Sequence, residues 1–426
     1  MLKICIKGIK KIKYGMINIY EVVYMQLTNG NLYWQKKSKI DKTYPYLTNN
    51  KTCDILVIGG GISGALSAYF LAKEGANVIV VEKNIIGYGS TSASSAMLEY
   101  QLDIDMCKLE KIIGQTQTKR IFSLCLEAIE NIEKIDKLFE KNAGFARQDA
   151  IYFSNKFMQK GAMTKEFETR KKAGFNTSFL NTHDTLALNS GILTKNASGI
   201  INPYAFTQGL FEYLSKMSNV SIYENTKIED VKCGYENVVC KTNNNFKIKS
   251  DNVIFSSGFE TLRYLPDSQV DIYKTFTIVS KQIDLLKNIN TDFTAKDMSE
   301  PSHCIRFTKG NRIIYGGENI KYSEKLLNKK YLLNVANDKY KKLFSFMQKT
   351  LYNIEDIPIE YAFNTTFAST KDTLPIIDEL PGMPNCFCNL GFGTNGILYS
   401  TIGASMLKDA IKGLYTKDIN MFKANR

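Results

Sequence analysis

The sequence predicts an α/β protein in which a doubly wound, mainly parallel sheet is interleaved with an α+β domain built on an antiparallel sheet. Three observations carry this. The stretch "DILVIGGGISGALSAYFLAKEGANVIVVEKN", Asp54 to Asn84, reads as strand, glycine turn, helix and strand. From Val220 to Phe255 the pattern changes to short strands separated by turn residues. A second glycine-rich turn, "NLGFGTNG", leads into a last amphipathic helix, Asn395 to Ile411. With 426 residues the chain exceeds what one core usually serves, so two domains are expected.

Local chemistry justifies each element in turn. Ile55 to Ile58 is wholly apolar, which suits a parallel strand covered on both faces. Ile62 to Lys73 has a helical pattern closed by Gly75. Asn77 to Glu82 is β-branched and completes a βαβ unit. Ile104 to Lys141 is a long charged helical run broken at Gly114, and Gln159–Lys172 and Tyr204–Met217 are further helices. Asp271–Ile283 and Cys304–Gly316 are predicted strands, Tyr331–Leu351 a helix, and Gly413 stops the last helix.

Composition removes several function classes. The net charge is +13, but the lysines are spread along the chain among Glu and Asp, which reads as a solvated surface and not as a nucleic-acid footprint. The nine cysteines are scattered and odd in number, which points to reduced thiols in a cytoplasmic protein. Cys386-x-Cys388 reads as a buried strand, and two histidines in all exclude a His-rich metal site. No run of about 18 uncharged apolar residues exists, so no transmembrane helix is expected. The basic, then apolar first residues resemble a signal peptide, but Glu21 interrupts them, and Met25 is a second candidate start.

The glycines point to a ligand. Gly59-x-Gly61-x-x-Gly64 lies between a strand and a helix, where Gly59 permits the tight turn, Gly61 leaves room for a pyrophosphate and Gly64 packs the helix close. The helix N-terminus at Ile62 and Ser63 offers free N–H groups to the phosphates. Glu82, 18 residues after Gly64, ends the second strand and suits both ribose hydroxyls. It repels a 2′-phosphate, which argues against an NADP-type ligand. The motif alone does not separate FAD from NAD. "GYGSTSASSAMLEYQLD", Gly87 to Asp103, then places small residues and hydroxyls where an NAD protein normally starts a crossover helix. Gly391, Gly393 and Gly396 precede the last helix, whose N-terminus suits the negative charge of a reduced flavin.

Together these residues resemble the D-amino-acid oxidase/glycine oxidase-like (DAO) family of FAD-dependent oxidoreductases, from roughly Asp54 to Gly413. The further matching stretches are "RFTKGNRIIYGGEN", Arg306 to Asn319, and "STKDTLPIID", Ser369 to Asp378. The resemblance implies a Rossmann-type FAD-binding domain in three parts, 51–145, 196–262 and 365–426, and a substrate domain in two, 146–195 and 263–364, after a lead-in at 1–50. It implies cofactor contacts at Gly59, Gly61, Ile62, Ser63, Gly64, Glu82, Lys83, Ser90, Thr91, Ser92, Gly258, Gly391, Gly393, Thr394, Asn395, Gly396 and Ile397.

The chain departs from the family at the substrate site. Glycine oxidase-like members hold the substrate carboxylate with arginines where this chain has Phe367 and Thr394, and neither can replace a guanidinium. Arg306 is the candidate substitute, and Lys371 the candidate positive charge near the flavin. His303 and Tyr361 are weaker candidates, with core or strand roles expected for both. Thr365 stands where sarcosine oxidase-like members carry a flavin-linking cysteine, and Ser92 and Ala93 stand where others carry a histidine, so FAD is expected to be noncovalent. The predicted activity is oxidation of a C–N bond in a small amine or amino-acid derivative by hydride transfer to flavin N5. The alternatives are a hydroxy-acid or polyol-phosphate oxidoreductase and a non-catalytic redox sensor. The expected partner is a small molecule, with the electron acceptor open and no nucleic acid.

Overall fold

In the computed structural model, which describes residues 13–14, 17–18, 27–40, 42–265, 270–352, 354 and 357–426, two sheets organise the chain. Most of the signal-peptide-like stretch, and Met25, lie outside the described residues. The first sheet runs Val220–Tyr223, Val78–Val81, Lys51–Ile58, Lys247–Phe255, all parallel. Beyond Lys247–Phe255 the sheet forks. Its upper half pairs in parallel with Cys386–Leu390, and its lower half continues antiparallel into Val238–Thr242 and Ile228–Cys233. The register sets Ile58 opposite both Val81 and Phe255, so the strand ends converge on Gly59 and Ser256. Ligands of doubly wound sheets bind outside such carboxyl ends.

Helices Ile62–Lys73, Pro203–Leu214 and Gly396–Ile411 pack together over one face of this sheet. The last helix was expected to be amphipathic, yet it is buried almost all round because helix Gln115–Asp136 covers its outer side. Cys386 and Cys388 do lie in a buried strand.

The second sheet has the order Thr28–Gly30, Ile359–Thr370, Val270–Ser280, Ile313–Lys321, Cys304–Phe307, Phe293–Asp297, Ala146–Ser154, Ser190–Ile200, Met97–Glu99. It is antiparallel except where Phe293–Asp297 meets Ala146–Ser154 in parallel. Helix Lys329–Thr350 covers part of it. The domain boundaries expected at 195/196 and 364/365 fall inside the strands Ser190–Ile200 and Ile359–Thr370. The expected lead-in is built into the fold. Thr28–Gly30 forms the edge strand beside Phe363–Thr365, and helix Tyr33–Lys37 buries Tyr33 and Trp34.

Candidate active site

One continuous cleft runs from Glu82, at the end of the parallel sheet, to Lys296 on the second sheet. The glycine turn forms its first wall. Gly59 has φ +120°, and a Cβ there would lie 2.5 Å from the Ser256 carbonyl oxygen. A Cβ on Gly64 would fall on the Gly59 carbonyl oxygen, so Gly64 serves packing and does not line the cleft. Gly61 has ordinary extended backbone, and a Cβ there would meet only the Thr91 hydroxyl, at 3.2 Å. That is an open cradle over the helix N-terminus. The Ile62 amide donates to Thr91 Oγ1 at 3.1 Å. Three buried hydroxyls on cleft-lining residues, Ser63, Ser256 and Ser400, have no hydrogen-bond partner among the described residues.

Glu82 Oε2 accepts from the Gly60 amide and Oε1 from the Asn84 amide, each at 2.8 Å. Burial pushes its carboxyl above the usual range, against the pull of these two amides. Lys83 pairs with Glu260 on the short turn Gly258–Tyr264, and Gly258 lines the cleft beside them.

Ser90 and Thr91 line the middle of the cleft, where Ser90 Oγ donates to the Thr366 carbonyl at 3.1 Å. Ser92 does not line it. Its hydroxyl accepts from Gln35 Nε2 at 3.1 Å and donates to the Gly89 carbonyl, because the lead-in helix packs behind this loop. Trp34 adds a bond from Nε1 to the Ser94 carbonyl at 2.7 Å.

The second glycine turn closes the far wall, and Gly391, Gly393, Thr394, Asn395, Gly396 and Ile397 all line it. Gly393 has φ +56°, and a Cβ there would sit 2.6 Å from Asp103 Oδ2. Asp103 grips the turn through the Thr394 amide at 2.8 Å and through the Thr394 hydroxyl. Asn395 Nδ2 reaches the Gln101 carbonyl at 3.1 Å.

Asp103 also forms an ion pair with Lys296 Nζ at 2.6 Å, and both side chains are largely buried. Burial and the Asp103 carboxylate act in opposite senses on Lys296, and the carboxylate wins, holding its ammonium above the usual range. Glu99 lines the same end. Burial raises its carboxyl to about 7, while Thr294, Lys296 and Arg170 pull it down. Behind this segment Arg170 bonds Glu166, Tyr100 and Gln101, and Glu166 accepts from the Met106 and Cys107 amides. That buried network fixes residues 100–107.

Besides Gly64 and Ser92, the two expected substrate-side residues are also placed outside the cleft. Arg306 is buried outside the cleft lining. Its Nη1 donates to the carbonyls of Ala96 at 2.5 Å and Ile201 at 3.0 Å, and its guanidinium lies over Trp34 at 5.3 Å. A guanidinium whose Nη1 is committed to the Ala96 and Ile201 carbonyls is a brace, not a carboxylate clamp. Lys371 is exposed in the turn after Ile359–Thr370, outside the lining, because the strand ends one residue before it. His303 is bonded to Asp297 at 2.8 Å and to Glu318 at 3.4 Å, and Tyr361 packs on Tyr33, so both have structural roles. Phe367 lines the cleft and stacks on Tyr273. Glu99, Asp103 and Lys296 were not read from the sequence. The available signal was ionisable residues inside apolar strand-like runs, "MLEYQLD" and "FTAKD".

The family described as FAD dependent oxidoreductase, DAO, matches residues 54–410. A Bacillus subtilis (strain 168) protein named for a Rieske 2Fe-2S iron-sulfur centre, YhfW, is 23% identical over 89% of this chain and 72% of its own length. The gamma-glutamylputrescine oxidoreductase of Escherichia coli (strain K12) is 21% identical over 88% and 87% of the two chains. Among solved structures, glycine oxidase from Geobacillus kaustophilus superposes with TM-score 0.72 at 19% identity, covering 88% of this chain and 99% of its own. The residues present fit FAD: the open cradle at Gly61 and the unpartnered hydroxyls of Ser63 and Ser256 suit phosphates, and Glu82 suits a ribose.

Proposed function

Because this chain belongs to the DAO family of FAD-dependent oxidoreductases, we propose that it oxidises a C–N bond of a small amine or amino-acid derivative. The observation that carries this is the composition of the cleft beyond the glycine turns. Its charged lining there is Glu99 and Lys296, and Lys296 is already neutralised by Asp103. A phosphate needs uncommitted positive charge, which this end does not offer, whereas Glu99 suits the amine nitrogen that a hydroxy acid lacks. The relatives named for glycine and gamma-glutamylputrescine support an amine nitrogen beside the reacting carbon.

FAD, when bound, supplies the acceptor for a hydride from that carbon. The chain's own part is to hold and orient. Glu82, Ser63 and the open cradle at Gly61 would hold one end of the cofactor, and the turn Gly391–Gly396 the other. Noncovalent binding is part of the proposal. Thr365 Oγ1 donates to the Leu27 carbonyl at 3.3 Å, and the thiol that does line the cleft, Cys304, is pushed up to about 11 by burial and is a poor nucleophile. A reducing cytoplasmic setting accords with nine scattered cysteines. Among the described residues no helix is long and apolar enough to cross a membrane.

The test is an anaerobic screen of amines, amino acids, hydroxy acids and glycerol phosphates, following loss of flavin absorbance. Bleaching by amines or amino acids is the expected result. Bleaching by hydroxy acids or glycerol phosphates alone overturns the proposal.

A further inference from the structure

We propose that Glu99 is the anchor for a protonated substrate amine, and that the protein therefore selects amines lacking a carboxylate on the reacting carbon; this rests on the reading just given. Glu99 ends the strand Met97–Glu99 and is 5% exposed, with its remaining surface in the cleft. Its Oε1 accepts from Thr294 Oγ1 at 2.5 Å, and that hydroxyl shares a 2.5 Å bond with Ser198 Oγ. These bonds occupy one carboxylate oxygen, Oε1, and Oε2 accepts from no group among the described residues. Glu99 lines the cleft, and for an ionised oxygen open to a ligand an ammonium N–H is the strongest donor.

The surroundings exclude the opposite charge. Lys296 commits two of its three ammonium donors, to Asp103 and to the Leu102 carbonyl at 3.3 Å, and its charge is cancelled by Asp103. Arg306 is held by carbonyls away from the cleft. The arginine that does line the cleft, Arg263, sits on the turn Gly258–Tyr264 with Glu260, at the Lys83 end. The other cleft-lining residues on the second sheet's strands include the neutral Thr275, Thr277, Cys304, Gly316 and Phe367. Glu99, Lys296 and Asp103 together therefore carry one net negative charge when Glu99 is ionised. An ammonium cancels it, whereas a carboxylate doubles it.

Glu99 also has a use for the proton. When the bound ammonium transfers it, one N–H bond breaks, the electron pair stays on nitrogen and the proton bonds to Glu99 Oε2. The products are a neutral amine, the form able to lose a hydride, and a neutral carboxylic acid, the form that burial of Glu99 favours.

The experiment uses the FAD-loaded protein and three probes of matched chain: n-hexylamine, norleucine and hexanoate. Binding is read by flavin difference spectra and calorimetry, and turnover by anaerobic bleaching. Wild type is expected to bind and be bleached by hexylamine, and to discriminate against norleucine. Glu99→Gln should weaken hexylamine binding roughly thirtyfold or more and leave hexanoate binding no weaker. Glu99→Asp keeps the charge and should keep the preference for hexylamine, which covers the case in which Glu99→Gln does not fold. Equal hexylamine binding in Glu99→Gln, absence of hexylamine binding to wild type, or faster bleaching by norleucine overturns the proposal. Glu99-dependent hexylamine binding with no bleaching by any amine or amino acid instead overturns the amine-oxidation reading and leaves the anchor standing.

Discussion

Asp103→Ala should damage the fold more than any exposed change, and the geometry gives the size. The carboxylate accepts from Lys296 Nζ at 2.6 Å, from the Thr394 amide at 2.8 Å and from the Thr394 hydroxyl. Its removal leaves the Lys296 ammonium, 8% exposed, with the Leu102 carbonyl at 3.3 Å as its remaining hydrogen-bond acceptor. Breaking one side of a buried ion pair costs roughly 3–5 kcal/mol. Removing the charge as well, in Asp103→Ala with Lys296→Met, should recover part of this, a coupling of about 1–3 kcal/mol. Urea unfolding followed through the single tryptophan, Trp34, measures both, since Trp34 bonds Ser94 in the neighbouring loop. The wild-type pH dependence has a definite sign. Burial pushes the Asp103 carboxyl upward, but Lys296 and Thr394 outweigh it and hold it below the usual range. Its stabilisation is therefore present above the unfolded carboxylate range and lost as pH falls through the folded value, and Asp103→Ala should flatten that acid limb. A single variant within about 0.5 kcal/mol of wild type, or a double variant no more stable than the two losses added, would refute the ion-pair account.

Acid precipitation of the yellow protein should release all flavin into the supernatant, and colour in the pellet would show a covalent bond. Gly61→Val should purify folded but without FAD, because its backbone is ordinary and its side chain fills the cradle, whereas Gly64→Ala should fail to fold, since the methyl lands on the Gly59 carbonyl. Absorbance at 450 nm and circular dichroism separate the two. Arg306→Met should lower thermal stability through the freed carbonyls of Ala96 and Ile201, and the ratio of amine to amino-acid turnover should not change. Hexylamine binding should tighten as pH rises through about 7, where Glu99 ionises; Lys296, Asp103, Arg170, Cys304 and Thr294 are the groups around it, and calorimetry across pH 5.5 to 8.5 checks the slope.

The cofactor half of the site was legible because backbone reads phosphates, and backbone needs reveal themselves as glycine at fixed spacing. Gly59, Gly61, Gly64 and Glu82 lie within one short stretch, and Gly391–Gly396 within another. The elements around them followed from period alone, with helix Ile62–Lys73 found at its observed ends. The long strands Ala146–Ser154, Ser190–Ile200 and Ile359–Thr370 were not singled out, since their burial patterns lack clean alternation where both faces are covered. Arg306 misled because a charged residue ending a strand beside a pocket has two ways to be satisfied. The sequence does not show the carbonyls of Ala96 and Ile201, which are 210 and 105 residues away along the chain.

The substrate half was opaque for a related reason. Glu99, Thr294, Ser198 and Lys296 come from three strands, and their meeting depends on the register of the second sheet. Yet the two halves are joined at one residue. Asp103 holds Lys296 on the substrate side and the Thr394 amide on the cofactor side, and a Cβ on Gly393 would strike it. Gly393 is therefore glycine for two reasons: its φ of +56°, and the room that Asp103 needs. A change in substrate charge that required Lys296 to leave Asp103 would also loosen the turn Gly391–Gly396. The proposed selectivity for a cation at Glu99 would leave that ion pair intact, so amine recognition there would not disturb the turn that Asp103 holds.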